Sequence, residues 1–275
     1  MSQINAEQLE QYFLKQPGAI VAYSGGVDSA LLAYAAYRAL GDRMVAVLAD
    51  SASLARREYQ NALDFAKHHN IPLKIIQTNE MQNPLYQANK ENRCYYCKKA
   101  LFDKLKQLQQ HIATSLQAPP WPLFYGANID DLGDHRPGIQ AAREESILAP
   151  YVELGIDKKT IRAICTYYGL SIADKPAMPC MSSRISYGEK VTVQKLSQVE
   201  KAENLLYDLG LRILRVRHHG DVARIEVQPH DFQRVLEHRG KIVEAFRSIG
   251  FIYVSLDLDG FKSGSLNLSL KSKER

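Results

Sequence analysis

The stretch Ile20-Val21-Ala22-Tyr23-Ser24-Gly25-Gly26-Val27-Asp28-Ser29, continued by Ala30-Leu31-Leu32-Ala33-Tyr34-Ala35-Ala36, constrains the fold more than any other. Four apolar or aromatic residues in a row form a short buried strand. From Ala30 the chain is rich in helix formers with apolar residues at helical spacing. Between them lie two glycines and two serines. Glycine lets backbone N–H groups converge where a Cβ would obstruct them. The helix that follows points the positive end of its dipole at the same spot. A strand–turn–helix of this kind is a phosphate site on physical grounds. The competing reading, glycines needed only for packing, would suit a lone Gly-Gly pair better than the full string.

The surrounding pattern extends that unit. A helix is expected over 1–18, ending at Pro17-Gly18, and the helix after the loop ends near Gly41. Strands follow at 44–49, closed by Asp50-Ser51, and at 73–77, with a helix over 54–69 between them. Residues 83–92 are polar and expected as a loop, and 93–110 has helical spacing. After the proline-rich 118–122 come a strand at 123–125 and helices over 139–145 and 157–168. Residues 175–188 lack periodicity. This alternation predicts an α/β fold, a doubly wound and mostly parallel sheet, with ligands at the carboxyl ends of its strands. From about Val191 the texture changes: helix 193–209, strands 213–218 and 223–227, helix 232–249 and strand 253–258. That tail is expected as a smaller α+β domain, so the predicted division is 1–188 and 189–275.

The bulk numbers exclude several classes. The chain has 275 residues, 45% hydrophobic and 24% charged, as expected for a globular protein of two domains. No apolar run approaches the length of a membrane span. Met1 to Glu10 lacks a basic-then-apolar leader profile, so the expected location is the cytoplasm. A net charge of +5 suits anionic small molecules or RNA and does not separate them. Four cysteines are too few for a disulfide scaffold of this size.

Those cysteines form the second signal. Cys94-Tyr95-Tyr96-Cys97 places two thiols at metal-sharing spacing near a helix start, and Cys180 lies in Pro179-Cys180-Met181-Ser182-Ser183-Arg184. Three thiolates are too few for a closed zinc site unless a histidine completes it. They suit a [4Fe–4S] cluster with one iron open. Alternatively Cys180 is a nucleophile whose thiolate Arg184 favours. A third reading is idle thiols, which is how Cys165, inside an apolar helix, is taken.

Ser24-Gly25-Gly26-Val27-Asp28-Ser29 resembles the PP-loop of the N-type ATP pyrophosphatases, and no Gly-Lys-Ser/Thr follows to make it a Walker loop. The rest of the chain resembles the LarE family of ATP-dependent sulfur transferases. Its carrying pieces are the loop; Cys94 to Phe102; Gly126 to Gly138; Lys175 to Gly188; Leu214 to His218; and Gly260 to Gly264. The resemblance implies ATP and Mg2+ as cofactors, with Ser24, Gly25, Gly26 and Ser29 gripping pyrophosphate. It implies Asp28 and Asp131 as magnesium carboxylates, and Asp50, Asn128 and Arg143 as further nucleotide contacts. It implies a pyridinium-dicarboxylate mononucleotide as substrate, adenylated on a carboxylate and then given sulfur, in the making of the nickel-pincer nucleotide cofactor. The substrate phosphate would fall to Arg184, Arg215 and Arg217. Arg215 and Arg217 alternate on a strand and so share a face, where a solvated basic strand is the rival reading. Glu203 and Glu226 match acidic positions of the family's second domain, as partners of those arginines or, for Glu226, a metal ligand. Two sulfur chemistries occur in the family: a sacrificial cysteine at the Cys180 position, or a cluster on three cysteines. With Cys94, Cys97 and Cys180 all present, the cluster version is expected, because it can be reloaded. A homo-oligomer is also implied, with neither a membrane nor a nucleic acid as partner. The rivals are a tRNA thiolase, an NAD- or GMP-synthetase-like enzyme, and a nucleotide-binding regulator without catalysis.

Overall fold

The computed structural model describes residues 2–133 and 137–262. By internal contacts they divide into two units, Met1–Glu80 with Cys94–Met178, and Met81–Arg93 with Pro179–Arg275. The sequence-based junction lies after Gly188; the contact division puts 179–188 and the excursion 81–93 with the second unit.

In the first unit, α1 (Ser2–Leu14) leads into β1 (Ala19–Tyr23), α2 (Val27–Leu40), β2 (Met44–Asp50), α3 (Arg56–His68) and β3 (Leu73–Gln77). In the second unit the excursion forms α4 (Pro84–Gln87). The chain then runs through α5 (Arg93–Leu116), β4 (Leu123–Phe124), α6 (Pro137–Glu144), α7 (Pro150–Glu153) and α8 (Lys158–Tyr167). The strands form one parallel sheet in the order β3-β2-β1-β4. All five residues of β1 are buried, because both faces of the sheet are covered. Ala19, Val21 and Tyr23 pack with α1, α2, α3 and α8, while Ile20 and Ala22 pack with α5 and α6 on the opposite face. Alternation with period two divides one strand between two cores, which is why its sequence is a continuous apolar run. The expected α/β architecture is the observed one.

The second unit holds α9 (Val193–Asp208), β5 (Leu214–His219), β6 (Val222–Val227), α10 (Phe232–Glu237), α11 (Arg239–Ile249) and β7 (Tyr253–Leu256). β5 and β6 form an antiparallel hairpin and β7 joins β6 in parallel. Its core gathers Leu206, Val216, Ile225, Ile242 and Phe246.

Two expectations need correction. Residues 83–92 are not simply a loop: Asn83 caps α4 by accepting the Leu85 N–H at 2.9 Å, with proline at the helix start, where its missing N–H costs nothing. The helix expected over 232–249 is two, broken at His238. Val235, Ile242 and Phe246 all reach the same core, so apolar spacing runs through the break and hides it. Among the described residues no helix is long and apolar enough to cross a membrane.

Candidate active site

The β1–α2 loop sits at the carboxyl end of a central strand. Gly25 adopts φ +71°, and a Cβ there would lie 2.6 Å from the Cβ of Ala62 on α3. Only glycine satisfies both demands. Gly26 is the residue before α2 and offers no side-chain cap, so the first-turn N–H groups of α2 face the loop. Ser24 and Ser29 close it: the Ser24 N–H donates to Ser29 Oγ at 3.0 Å, the two hydroxyls are 3.0 Å apart, and the Ser29 hydroxyl donates to the Gly26 carbonyl at 3.1 Å. Gly126 lies against the loop from β4, where a Cβ would meet the Asp28 and Ser29 backbones at 3.1 Å.

Asp28 is held twice. The buried Tyr151 hydroxyl donates to its carbonyl at 2.8 Å. The Lys158 ammonium donates to both of its carboxylate oxygens, at 2.7 and 2.6 Å. Lys158 opens α8, and its own N–H donates to Asp130 Oδ2 at 2.9 Å. Asp130 belongs to the turn Asn128–Asp131, where Asn128 Oδ1 accepts the Asp130 N–H and Asp131 Oδ2 accepts the Asn128 N–H, each at 3.0 Å. Asn128 and Asp131 are thereby tied through Asp130 and Lys158 to the loop. Arg143, exposed on α6, and Asp131 both act on the Tyr125 phenol, whose pKa burial raises first, with Arg143 lowering it and Asp131 raising it. Asp50 ends β2 and accepts from Arg56 at 2.7 Å. Lys175 donates to the Gly25 carbonyl at 2.9 Å and pairs with Glu58 at 2.7 Å. Magnesium, a hard cation that takes oxygen ligands, suits this place: a partly exposed carboxylate stands beside a phosphate-binding loop. Bound there, the ion would neutralise phosphate charge. Lys158 and Tyr151 are residues that sequence reasoning misses, since nothing local marks them. Lys175 sits inside a stretch already singled out.

Cys94 and Cys97 lie one turn apart at the start of α5, the first exposed and the second partly buried. Cys180, exposed, precedes a short 3-10 turn in the second unit. Among the described residues no three His, Cys, Asp or Glu side chains are gathered into a metal-holding group. The thiol pair on α5 does not by itself make a cluster site. Cys165 is buried beneath the loop and its thiol is pushed up to about 12, by burial first and then by Asp28.

In the second unit the predicted arginines are buried. Arg184 donates to Glu203 at 3.0 and 3.2 Å and to the Cys180 carbonyl at 3.0 Å. Arg217 donates to Glu226 at 3.0 and 2.9 Å and to the Ser183 carbonyl at 2.7 Å. Arg215 donates to the Leu214 carbonyl at 2.7 Å and stacks over Phe261, with its pKa lowered to about 10 by burial and then by Arg184. Arg224 bridges Glu226 and Asp257. The excursion clasps the same segment: Arg93 donates to the Ser182 carbonyl at 2.8 Å, and the Tyr86 hydroxyl meets Ser182 Oγ at 2.6 Å. Glu203 and Glu226 are thus partners of the arginines, and the arginines hold the backbone around Cys180. Asp134, His135, Arg136, Ser263 and Gly264, parts of the stretches quoted above, lie outside the described residues.

A parallel sheet wound on both faces, with this serine- and aspartate-closed loop at its carboxyl edge, defines the PP-loop ATP pyrophosphatase class. The NAD synthase family model matches residues 4–109. The chain is 45% identical to an uncharacterized protein of Synechocystis over 97% of this chain and 98% of that one. It is 31% identical to the pyridinium-3,5-bisthiocarboxylic acid mononucleotide synthase of Lactiplantibacillus plantarum, over 91% of this chain and 89% of that one. An uncharacterized protein of Methanocaldococcus jannaschii is 27% identical over 89% of this chain and 90% of its own. The chain belongs to the LarE family and is an ATP-using sulfur transferase.

Proposed function

We propose that this protein adenylates a carboxylate of a pyridinium-dicarboxylate mononucleotide, releases pyrophosphate, and replaces the activated oxygen with sulfur to give a thiocarboxylate. This is a step in making the nickel-pincer nucleotide cofactor. The observation that carries the reading is the Ser24–Ser29 loop with Asp28 at its end, in a chain similar over 91% of its length to a pyridinium-3,5-bisthiocarboxylic acid mononucleotide synthase. The family-model match to NAD synthase stops at residue 109 and covers the part the two chemistries share.

The loop N–H groups and the Ser24 and Ser29 hydroxyls bind the β- and γ-phosphates. Asp28 and Asp131 would hold magnesium, which would supply positive charge against the pyrophosphate. Asp50, Asn128 and Arg143 orient the nucleotide. The substrate carboxylate attacks the α-phosphorus, the bond to the bridging oxygen breaks, and an acyl-adenylate forms. Sulfur then enters at the acyl carbon and AMP leaves, so no strong general base is required. Cys94, Cys97 and Cys180 are the sulfur site, and a [4Fe–4S] cluster on them would supply a sulfide that can be reloaded. The second domain, 189–275 in the sequence reading, binds substrate and forms the homo-oligomer. Arg184, Arg215 and Arg217, buried in the same unit, take the substrate phosphate, as in the family reading. The protein acts in the cytoplasm.

The test combines ATP with pyridinium-3,5-dicarboxylate mononucleotide, and follows pyrophosphate and, by mass spectrometry, the thiocarboxylate. Pyrophosphate release that requires the pyridinium nucleotide, and that Asp28→Ala removes, is the expected result. Release driven by tRNA or ammonia would replace this reading with one of its rivals. Iron and acid-labile sulfide in anaerobic protein support the cluster. A Cys180 that loses its own sulfur after one turnover supports the sacrificial route.

A further inference from the structure

Asp28 is expected to hold magnesium, yet both its oxygens are chelated by the Lys158 ammonium across 130 residues of sequence. The two uses conflict, because an ammonium and a divalent ion on the same carboxylate repel one another at close range. The lysine is not there by accident of a loose surface chain. It is the first residue of α8, whose start is fixed by the Asp157 side chain on the Thr160 N–H at 2.7 Å and by Asp130 on the Lys158 N–H. The Asp28 backbone is equally fixed, since the Tyr151 hydroxyl donates to its carbonyl. The side chains of Lys158 and Asp28 are nevertheless 32% and 27% exposed, so the pair lies on the open side of the loop. A flexible four-carbon stem can swing a compact ammonium by several ångströms without moving α8.

We propose that Lys158 is an exchange partner. It yields Asp28 to the magnesium ion that arrives with the triphosphate, and turns its own ammonium to a phosphate oxygen. The lysine thus keeps the loop carboxylate compensated before binding and adds a phosphate contact after it. The inference rests on the reading of the loop as a magnesium–ATP site.

Two binding titrations read the exchange without turnover. The first follows Mn2+ alone by the paramagnetic resonance of the free ion. The second follows Mg2+ with α,β-methylene-ATP by calorimetry. In Lys158→Met the competitor for Asp28 is gone, so Mn2+ alone should bind about 2–5-fold tighter. The Mg2+–analogue complex should bind about 10-fold weaker, because a charged phosphate contact is lost. Lys158→Arg should leave Mn2+ binding close to wild type. Mn2+ binding unchanged or weakened in Lys158→Met, or analogue binding unchanged, overturns the exchange. Should Lys158→Met fail to fold, Lys158→Gln is read in the same two titrations against the same expectations. If the wild-type protein itself binds no Mg2+–analogue complex, the magnesium–ATP reading fails and the exchange fails with it.

Discussion

Replacing Gly25 by alanine tests whether the phosphate loop is shaped by its contact with α3. Two penalties are separable. The backbone at φ +71° is left-handed, which costs a residue with a Cβ about 1–2 kcal/mol. The added methyl would sit 2.6 Å from the Ala62 Cβ, far inside the roughly 3.5–4.0 Å of normal carbon contact. Ala62 is fully buried and cannot swing aside, so overpacking adds about 1–3 kcal/mol. The expected loss is about 2–5 kcal/mol. Ala62→Gly on its own should cost about 1–2 kcal/mol, from helix propensity and one lost buried methyl. Combined with Gly25→Ala it should return the overpacking part, leaving the double variant about 1–3 kcal/mol better than the sum of the singles. The assay is urea unfolding followed by the fluorescence of Trp121, the single tryptophan, whose ring packs against Gly18 in the same unit. Gly25→Ala within about 0.5 kcal/mol of wild type, or strict additivity with Ala62→Gly, would refute the argument.

Removing Glu203 by Glu203→Ala leaves Arg184 buried without its carboxylate, and should cost about 3–5 kcal/mol, seen as faster hydrogen exchange across the Cys180 segment. His218 and His219 both have pKa values lowered below the ordinary 6.5, chiefly by burial and then by Lys195 and Arg224 respectively. A base depressed in the folded state contributes stability above its unfolded pKa, so protection of β5 and β6 should fall as pH drops below about 6.5. His219→Asn should flatten that fall, and a flat profile in wild type would contradict it. In folded protein freed of iron, iodoacetamide at pH 8 should label Cys94 and Cys180 and spare Cys165, whose buried thiol stays protonated.

The sheet was legible in the sequence for a physical reason. A central parallel strand buried on both faces reads as the run Ala19–Tyr23, and the loop after it is specified by consecutive residues. The order β3-β2-β1-β4 and the register come from the structure. What escapes is long-range pairing. Lys158 meets Asp28 only because α8 starts beside the loop, and no local pattern marks a lysine that does so. The arginines show the same limit. Arg215 and Arg217 share a strand face as alternation requires, but their burial against Phe261 and Glu226 depends on β6 and the residues after it. The Asn83-Pro84 pair did carry a helix-start signal, too short to stand out in a polar stretch.

The central claim is that the β1–α2 loop directs cleavage between the α- and β-phosphates. Product analysis with ATP labelled on the α-phosphate, in the presence of the pyridinium-dicarboxylate mononucleotide, tests it most directly. Label recovered as AMP and acyl-adenylate, with one pyrophosphate for each, is the expected result. Label recovered as ADP, with inorganic phosphate released, would contradict it.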